Sequence, residues 1–136
     1  ENRVIERNGE KIAILGVQNW SEKGRFPKYG NLEKSLEGLG KDISVKLLLS
    51  HDPSHWRAQV LNKTDIDATF SGHTHGMQFG IDSKFYRWSP VKYLYKEWID
   101  LYSENNQHLY VNRGFGYLGY PGRMGIYPEI TVFTLS

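Results

Sequence analysis

Two short apolar runs with a helix start between them constrain the fold of this chain most strongly. Residues 43–49 (ISVKLLL) and 66–70 (IDATF) have the length and composition of strands in a sheet core. Asp52 and Pro53 follow the first run and are typical of a helix start, because aspartate caps a helix and proline needs no N–H partner there. This order predicts a βαβ unit, in which the carboxyl ends of two parallel strands meet at one edge of the sheet.

The other predicted elements surround this unit. Asn8 and Gly9 lie between two apolar runs and predict a hairpin, since both residues of its turn need a positive φ. We further predict a loop over residues 16–30, helices over residues 31–39 and 53–61, and strands over residues 77–81, 108–112 and 130–135. No internal repeat is visible, so we expect a single α/β or α+β domain.

The composition is that of a folded globular chain. Its 136 residues suffice for one modest domain, and 39% hydrophobic with 24% charged residues is ordinary for such a domain. A net charge of only +2 gives no reason to expect nucleic acid as a partner. The chain has no cysteine, which excludes disulfides and thiolate metal sites. Its apolar runs are all shorter than a membrane-spanning helix requires.

The segment SGHTHG (71–76) places His73 and His75 one residue apart between glycines. Two imidazoles at this spacing can converge on a cation, and the glycines let the backbone turn sharply. A polar turn without any ligand is the alternative. His51 follows the other strand of the βαβ unit, so the fold would bring three imidazoles to one edge. A polar residue that merely caps the strand end is the alternative interpretation of His51.

The two remaining histidines are expected to be structural. His55 lies four residues after His51, but Pro53 places His51 ahead of the helix, so the two do not share a helix face. His108 lies inside a predicted strand without a neighbouring glycine or carboxylate. The three histidines at the edge could by themselves form a mononuclear zinc site with an open position for water.

Four segments together resemble one family. LLLSHDP (47–53), DATFSGHTHGMQFG (67–80), YVNRGFG (110–116) and PGRMGIYPEITVFTL (121–135) make nearly the whole chain similar to the carboxyl-terminal half of a calcineurin-like metallophosphoesterase, in particular to a bacterial phosphohydrolase group. The resemblance implies half of a four-layer α-β-β-α sandwich with a mixed sheet. It also implies hydrolysis of phosphomonoester, phosphodiester or pyrophosphate bonds by metal-activated water at a dinuclear centre.

The same resemblance assigns roles to the three histidines. It gives His51 and His73 to one metal and His75 to the other. The complete enzyme would use two divalent cations, Mn, Fe or Zn, which imidazole ligands suit. The two cations would hold the phosphate oxygens and lower the pKa of a bridging water.

The chain departs from the family in what it lacks. It has no Asp-x-His, no Gly-Asp and no Gly-Asn-His, since its one Gly-Asn pair is followed by Leu32. The catalytic acid histidine of the family would therefore lie upstream. We expect residues 1–136 to be the carboxyl-terminal portion of the domain and to be inactive alone. Its sheet should then need the amino-terminal half as a partner, or expose apolar surface, or self-associate.

Two further features each have two interpretations. Arg113 and Arg123 lie in glycine-rich loops and either contact a substrate phosphate or pair with acidic side chains. Residues 84–98 interleave basic and aromatic residues. They either bind a lipid headgroup or membrane surface, or pack their aromatics on the sheet with the charges in solvent. We prefer packing, because no amphipathic period is visible.

Two other functions stay open on the sequence. One is a non-catalytic module that binds anionic lipid or nucleic acid through residues 84–96, and the other is a mononuclear three-histidine zinc enzyme. A phosphoesterase would take a phosphate-ester substrate, with no nucleic acid expected as a partner. The resemblance implies a bacterial protein in the cytoplasm, or one held at the membrane or cell envelope by an upstream segment.

Overall fold

The computed structural model of the protein describes residues 1–22 and 27–135, so residues 23–26 of the predicted loop lie outside it. The described strands are β1 (Asn2–Arg7), β2 (Glu10–Gly16), β3 (Val45–Leu49), β4 (Ala68–Ser71), β5 (Ile81–Asp82), β6 (Arg87–Trp88), β7 (Asp100–Glu104) and β8 (Gln107–Val111). Six of them form one sheet in the order β1-β2-β3-β4-β8-β7, and β5 pairs with β6 separately. The predicted mixed α/β fold is confirmed.

The centre of the sheet is parallel. Strand β3 pairs in parallel with β2 and with β4, and β4 pairs in parallel with β8. Leu47 lies opposite Ala68, and Phe70 lies opposite Tyr110. The predicted βαβ unit therefore exists, and the carboxyl ends of β3, β4 and β8 lie side by side.

Antiparallel hairpins close both edges of the sheet. Strands β1 and β2 meet at Asn8 and Gly9, whose φ values of 54° and 81° fit the predicted turn. Strands β7 and β8 meet at Asn105 and Asn106, which also have positive φ. Asparagine tolerates this conformation better than other residues with a Cβ.

The helices are shorter than the sequence predicts. Helix α1 (Leu32–Leu36) begins where Asn31 accepts a 2.8 Å hydrogen bond from the Lys34 N–H, and it ends before the predicted residue 39. After β3, the Asp52 carboxylate accepts the Ser54 N–H at 2.8 Å, which confirms the predicted cap. The helical segment that follows is a π-helix over Trp56–Val60. Two 3₁₀ segments, His75–Gln78 and Pro90–Tyr93, complete the list.

One face of the sheet carries the main core. Leu15 of β2, Leu48 of β3 and Leu109 of β8 are buried in this core together with Trp56 and Val60 of the π-helix. A second, smaller core lies beyond the end of the sheet and contains Val91, Trp98, Ile99 and Ile126. This second core supports the loops that follow β4 and β8.

Two predicted strands are wrong. Of the predicted strand over residues 77–81 only Ile81 is in a strand, because Met77 and Gln78 have φ near +55° and turn the backbone before the short β5 begins. Residues 130–135 form no strand either. This segment crosses a face of the sheet, where the Phe133 ring lies 4.7 Å from that of Phe70 and 4.8 Å from that of Tyr110. A segment that crosses a face cannot add backbone pairs at an edge.

The face opposite the main core is apolar and only partly covered. Ile12, Leu47 and Phe70 alternate with the core residues of their strands and are half-buried, and Leu49 is half exposed. Such a face normally packs against another layer.

His55 predicts how the stability of the fold depends on pH. Its ring is fully buried, with Nδ1 2.8 Å from the Ser50 hydroxyl and Nε2 2.9 Å from the Gln59 amide oxygen. Burial lowers the pKa of His55 below its ordinary value, against the raising effects of Gln59 and Asp52. The unfolded chain takes up this proton near pH 6.5. The free energy of unfolding should therefore fall as the pH is lowered from about 7 toward 5.

Urea unfolding between pH 5 and 8 measures this dependence. His55→Gln should be less stable at pH 7.5 but should have a shallower slope than wild type, by at most about 1.4 kcal/mol per pH unit. His73 and His75 also have lowered pKa values and leave part of the slope in place. The control Gln18→Ala changes an exposed side chain that does not titrate and should keep the wild-type slope. Identical slopes for wild type and His55→Gln would contradict the assignment.

Candidate functional site

Polar residues follow three neighbouring parallel strands at the point where each ends. His51 follows β3, Gly72 and His73 follow β4, and Asn112 follows β8. The backbone continues the ladder past the strands, because Gly72 donates to the His51 carbonyl at 3.1 Å and Asn112 donates to the Ser71 carbonyl at 2.8 Å. The fold thus brings His51 to the same edge as the SGHTHG turn.

His51 and His73 are in direct contact. The His73 Nδ1 lies 3.0 Å from the His51 Nε2, and the two rings meet edge to face with centroids 4.9 Å apart. Two nitrogens bound to one tetrahedral zinc ion at about 2.0–2.1 Å each would lie about 3.3 Å apart. The observed separation is close to that value, and it also suits a hydrogen bond when one of the nitrogens carries a proton.

Tyr95 and Asp52 hold the other side of the His73 ring. The Tyr95 hydroxyl lies 2.9 Å from His73 Nε2 and 3.5 Å from the Asp52 carboxylate, which is 4.0 Å from the same nitrogen. Burial, then the charge and the hydrogen bond of Asp52, raise the pKa of Tyr95 to about 12, so the phenol stays protonated. When the Tyr95 hydroxyl donates its proton to Asp52, it accepts a hydrogen bond from His73 Nε2–H. The lone pair of His73 Nδ1 then faces His51, as in histidines that bind metals.

His75 lies beside the pair with one unpartnered nitrogen. Its Nδ1 is buried and makes no hydrogen bond within the described part of the chain. Burial, followed by the charges of Arg123 and His51, lowers the pKa of His75. Burial likewise lowers the pKa of His73, although Asp52 acts in the other direction. Both imidazoles are therefore neutral near pH 7, which leaves a lone pair on each ring for a ligand.

The turn that carries these histidines is strained. His73, His75, Met77 and Gln78 all have φ between 51° and 66°, where residues with a Cβ are uncommon. Gly76 has φ 55°, and a Cβ at this position would lie 2.8 Å from Ile126 of the second core. Only glycine meets both conditions without displacing that core. Strain of this kind clusters at functional sites.

Arg113 faces acidic side chains with all of its nitrogens, although its Nε makes no hydrogen bond within the described part of the chain. Its two terminal nitrogens donate to Asp82 and, at 2.5 Å, to Asp100, and its Nε lies 2.8 Å from a Glu129 oxygen in an ion pair. Every nitrogen of the guanidinium faces a carboxylate. In the structure Arg113 pairs with acidic side chains, and these pairs connect β5, β7 and the loop at Glu129 to the end of β8.

Arg123 differs from Arg113 because it is held by backbone carbonyls. Its Nη2 donates to the carbonyls of Arg113 and Gly116 at 2.8 Å, and its Nε donates to Gly116 at 3.1 Å. Its Nη1 is buried and has no hydrogen-bond partner among the described residues. The guanidinium lies near enough to His75 to lower the pKa of that histidine. Arg123 therefore holds its positive charge close to His75.

The donor set fits a metal site only in part. His51 and His73 present two facing nitrogens, and His75 has a buried, unpartnered one. Across residues 1–22 and 27–135, however, no group of three or more His, Asp or Glu side chains is close enough to hold a metal ion. The other two histidines lie elsewhere. His55 points into the core, and His108 is exposed at the amino end of β8.

The sequence did not identify Tyr95 and Gln78 as site residues. Tyr95 lies in the aromatic and basic segment over residues 84–98, and nothing local distinguishes it from the neighbouring tyrosines. That segment divides in the structure, since Val91 and Trp98 are buried whereas Phe85 is 93% exposed. Gln78 fell inside a predicted strand. The role of Gln78 becomes visible only in the structure, where the glycine-rich loop after β8 lies next to its side chain.

Gln78 holds the loop after β8 close to the turn over residues 71–76. Its side chain is buried, and its Nε2 donates to the carbonyls of Tyr120 and Gly122 at 2.9 and 2.7 Å. Its Oε1 accepts the Leu118 N–H, and its backbone carbonyl accepts the Tyr120 hydroxyl at 2.8 Å. One side chain thus sets the position of residues 118–122.

Comparison with known proteins finds metallophosphoesterases. The chain is 40% identical over 134 residues to "Uncharacterized metallophosphoesterase YkuE" of Bacillus subtilis (strain 168), covering 95% of this chain and 42% of that protein. It is 29% identical over 135 residues to "Transmembrane protein with metallophosphoesterase domain" of Danio rerio, covering 96% of this chain and 29% of that protein. A Bos taurus protein of the same name is 34% identical over 108 residues, or 78% of this chain and 23% of that protein.

The chain thus spans less than half the length of these curated relatives. No family model matches the chain, and no solved structure matches it. None of the helices in the described part of the chain is long and apolar enough to cross a membrane.

Gln78→Ala tests how the loop is held. The substitution leaves the Leu118 N–H and two carbonyls without their buried partner, so we expect the free energy of unfolding to fall by about 1–3 kcal/mol. Hydrogen exchange at the Leu118 amide should accelerate more than exchange in β3. Gln18→Ala removes an exposed glutamine and should change stability by no more than about 0.5 kcal/mol. Unchanged exchange at Leu118 would show that Gln78 does not fix the loop.

Proposed function

Because the chain belongs to the metallophosphoesterase family, we propose that it supplies part of the metal site at which a longer protein hydrolyses phosphate esters. The bond cleaved is a phosphomonoester, a phosphodiester or a pyrophosphate. The observation that best supports this function is the contact between His51 Nε2 and His73 Nδ1 at 3.0 Å, with Tyr95 behind the second ring.

In this proposal each histidine has one role. His51 and His73 bind one divalent cation and His75 binds a second, with Mn, Fe or Zn as the candidates. When bound, the two cations supply Lewis acidity and lower the pKa of a bridging water. Tyr95 and Asp52 orient the His73 ring. The lowered pKa values of His73 and His75 keep both rings unprotonated, and hence able to bind, near pH 7.

Arg123 rather than Arg113 contacts the substrate phosphate in this proposal. Arg113 already faces three carboxylates, so a phosphate would have to displace one of them. Arg123 has no such competitor on its Nη1, and backbone carbonyls hold its guanidinium beside His75. An arginine held in this way places its positive charge near the phosphate, and its buried Nη1 would have to turn outward to donate to a phosphate oxygen.

The remaining ligands come from outside these 136 residues in this proposal. We place the chain as the carboxyl-terminal portion of the domain, with the carboxylates, an amide and the acid histidine in the amino-terminal half. That half would cover the apolar sheet face that contains Ile12, Leu47 and Leu49. Without it, self-association is the other way to cover that face. Relatives named as transmembrane proteins support membrane association of the whole protein.

The proposal that some metal ligands lie outside these 136 residues gives the first test of this function. With Mn²⁺, Zn²⁺ or Fe²⁺ and bis-(4-nitrophenyl) phosphate, we expect no turnover by the 136-residue chain and metal-dependent turnover by the full-length protein. In the full-length protein, His73→Ala and His75→Ala should each lower turnover by orders of magnitude, because each removes a ligand of a different cation. His108→Ala is the matched control and should have little effect.

Metal content distinguishes this function from the alternatives. The full-length protein should bind two cations, whereas a mononuclear zinc enzyme would hold one and a binding module none. Robust metal-dependent hydrolysis by the 136-residue chain alone, abolished by His73→Ala, would show that these residues form a complete enzyme.

Arg123→Gln tests the phosphate contact in the full-length protein. Loss of a charged hydrogen bond should weaken competitive inhibition by inorganic phosphate by about 10-fold to 100-fold. Metal content should stay at the wild-type level. Arg3→Gln, which changes an exposed arginine of β1, should leave the inhibition constant unchanged. An unchanged inhibition constant for Arg123→Gln would contradict the contact.

A further inference from the structure

An open groove is lined in part by the histidines of the turn. It has a volume of about 320 Å³, and its lining includes His73, His75, Met77, Leu94, Leu118 and Tyr120. The size is at the lower end of the range for small-molecule sites. A ligand whose phosphate lies at the histidines would therefore place its next group in this groove.

The polar side chains that line the groove are already engaged within the protein. The Thr74 hydroxyl donates to the Trp98 carbonyl at 2.7 Å, and the Gln78 amide is satisfied at both ends by the loop after β8. The Tyr95 hydroxyl faces His73 and Asp52, and the Tyr120 hydroxyl donates to the Gln78 carbonyl at 2.8 Å. Beyond the histidines, the lining thus offers a ligand mainly apolar surface.

The apolar walls are unusually open to water. Leu118 is 70% exposed, Leu94 is 53% exposed and Met77 is 41% exposed. Leu118 lies in the loop that Gln78 holds, so a buried hydrogen-bond cluster determines its position. Exposed apolar side chains held in place around a concave surface are typical of a binding site for an apolar group.

We propose that this groove binds an apolar chain carried by the phosphate ester, so that the substrate is an alkyl phosphate ester rather than a nucleotide or a sugar phosphate. The inference rests on the proposed function, which places the phosphate at the histidines. A sugar or nucleobase in the groove would lose hydrogen bonds to water and find few partners in return, which costs affinity. An alkyl chain gains from covering Met77, Leu94 and Leu118.

A series of phosphonates with increasing chain length tests the groove without turnover. Methyl-, butyl-, hexyl- and octylphosphonate are titrated calorimetrically into the full-length protein loaded with Mn²⁺, below their micelle concentrations. The dissociation constant should fall about threefold to fourfold per added methylene until the groove is filled. Adenosine 5′-monophosphate should bind no more tightly than methylphosphonate.

Two variants and one control locate the effect. Leu118→Asn and Leu94→Asn should each reduce the gain from methyl- to octylphosphonate by about tenfold and leave methylphosphonate affinity unchanged. Ile130→Asn is the matched control, since Ile130 is 82% exposed but does not line the groove. It should preserve the whole series.

The outcomes distinguish failure of the groove proposal from failure of the proposed function. A dissociation constant that does not change with chain length, alongside intact Mn²⁺-dependent binding of methylphosphonate, would overturn the groove and leave the proposed function standing. Tighter binding of adenosine 5′-monophosphate than of octylphosphonate would also overturn it. Loss of Mn²⁺-dependent binding for every phosphonate would overturn both.

Discussion

The site depends on the parallel pairing of β4 with β3 on one side and with β8 on the other. Parallel strands end at the same edge, so the residues that follow them must share a small region of space. The hydrogen bonds that continue the ladder past the strands, from Gly72 to His51 and from Asn112 to Ser71, extend this constraint into the loops. His51 reaches His73 for this reason, although 21 residues lie between them in the sequence.

The strained histidine turn is held by packing and hydrogen bonds on its outer side. The second core places Ile126 against Gly76, Ser89 donates to the Gly76 carbonyl at 2.8 Å, and Gln78 ties the turn to the loop after β8. Each positive φ at a residue with a Cβ costs free energy of order 1–3 kcal/mol. The surrounding contacts must offset that cost. The second core therefore stabilises the turn that carries the histidines more than it stabilises the sheet.

The two arginines near the site differ in how far neighbouring carboxylates neutralise their positive charge. Arg113 and Arg87 share Asp82 and Asp100, and Arg113 also faces Glu129, so this network is nearly neutral within itself. Among the described residues, the hydrogen bonds of Arg123 go to carbonyl oxygens, which do not neutralise its positive charge. The same loop therefore contains one arginine that stabilises the fold and one that can attract an anion. Their sequence contexts, both rich in glycine, do not distinguish them.

Local patterns in the sequence determined the parts of this protein that depend on neighbouring residues. The Asn8–Gly9 hairpin, the cap at Asn31, the Asp52 cap and the parallel βαβ unit all follow from turn chemistry and apolar runs, and the structure has each of them. The family motifs likewise identified the metallophosphoesterase relatives. Patterns of apolar residues failed at residues 77–80, where positive φ values at Met77 and Gln78 turn the backbone, and at residues 130–135, where Phe133 contacts a face of the sheet while Ile130 is exposed.

Tertiary structure alone decided which residues surround the histidines. Tyr95 and Asp52 meet at His73 from segments 43 residues apart, and Gln78 finds its partners 40 to 44 residues away. Whether an arginine faces carboxylates or carbonyls, and whether a leucine lines a groove or fills a core, likewise depends on such distant contacts. A sequence specifies its periodicity and turn residues locally, but side-chain partners across loops arise only when the chain is packed.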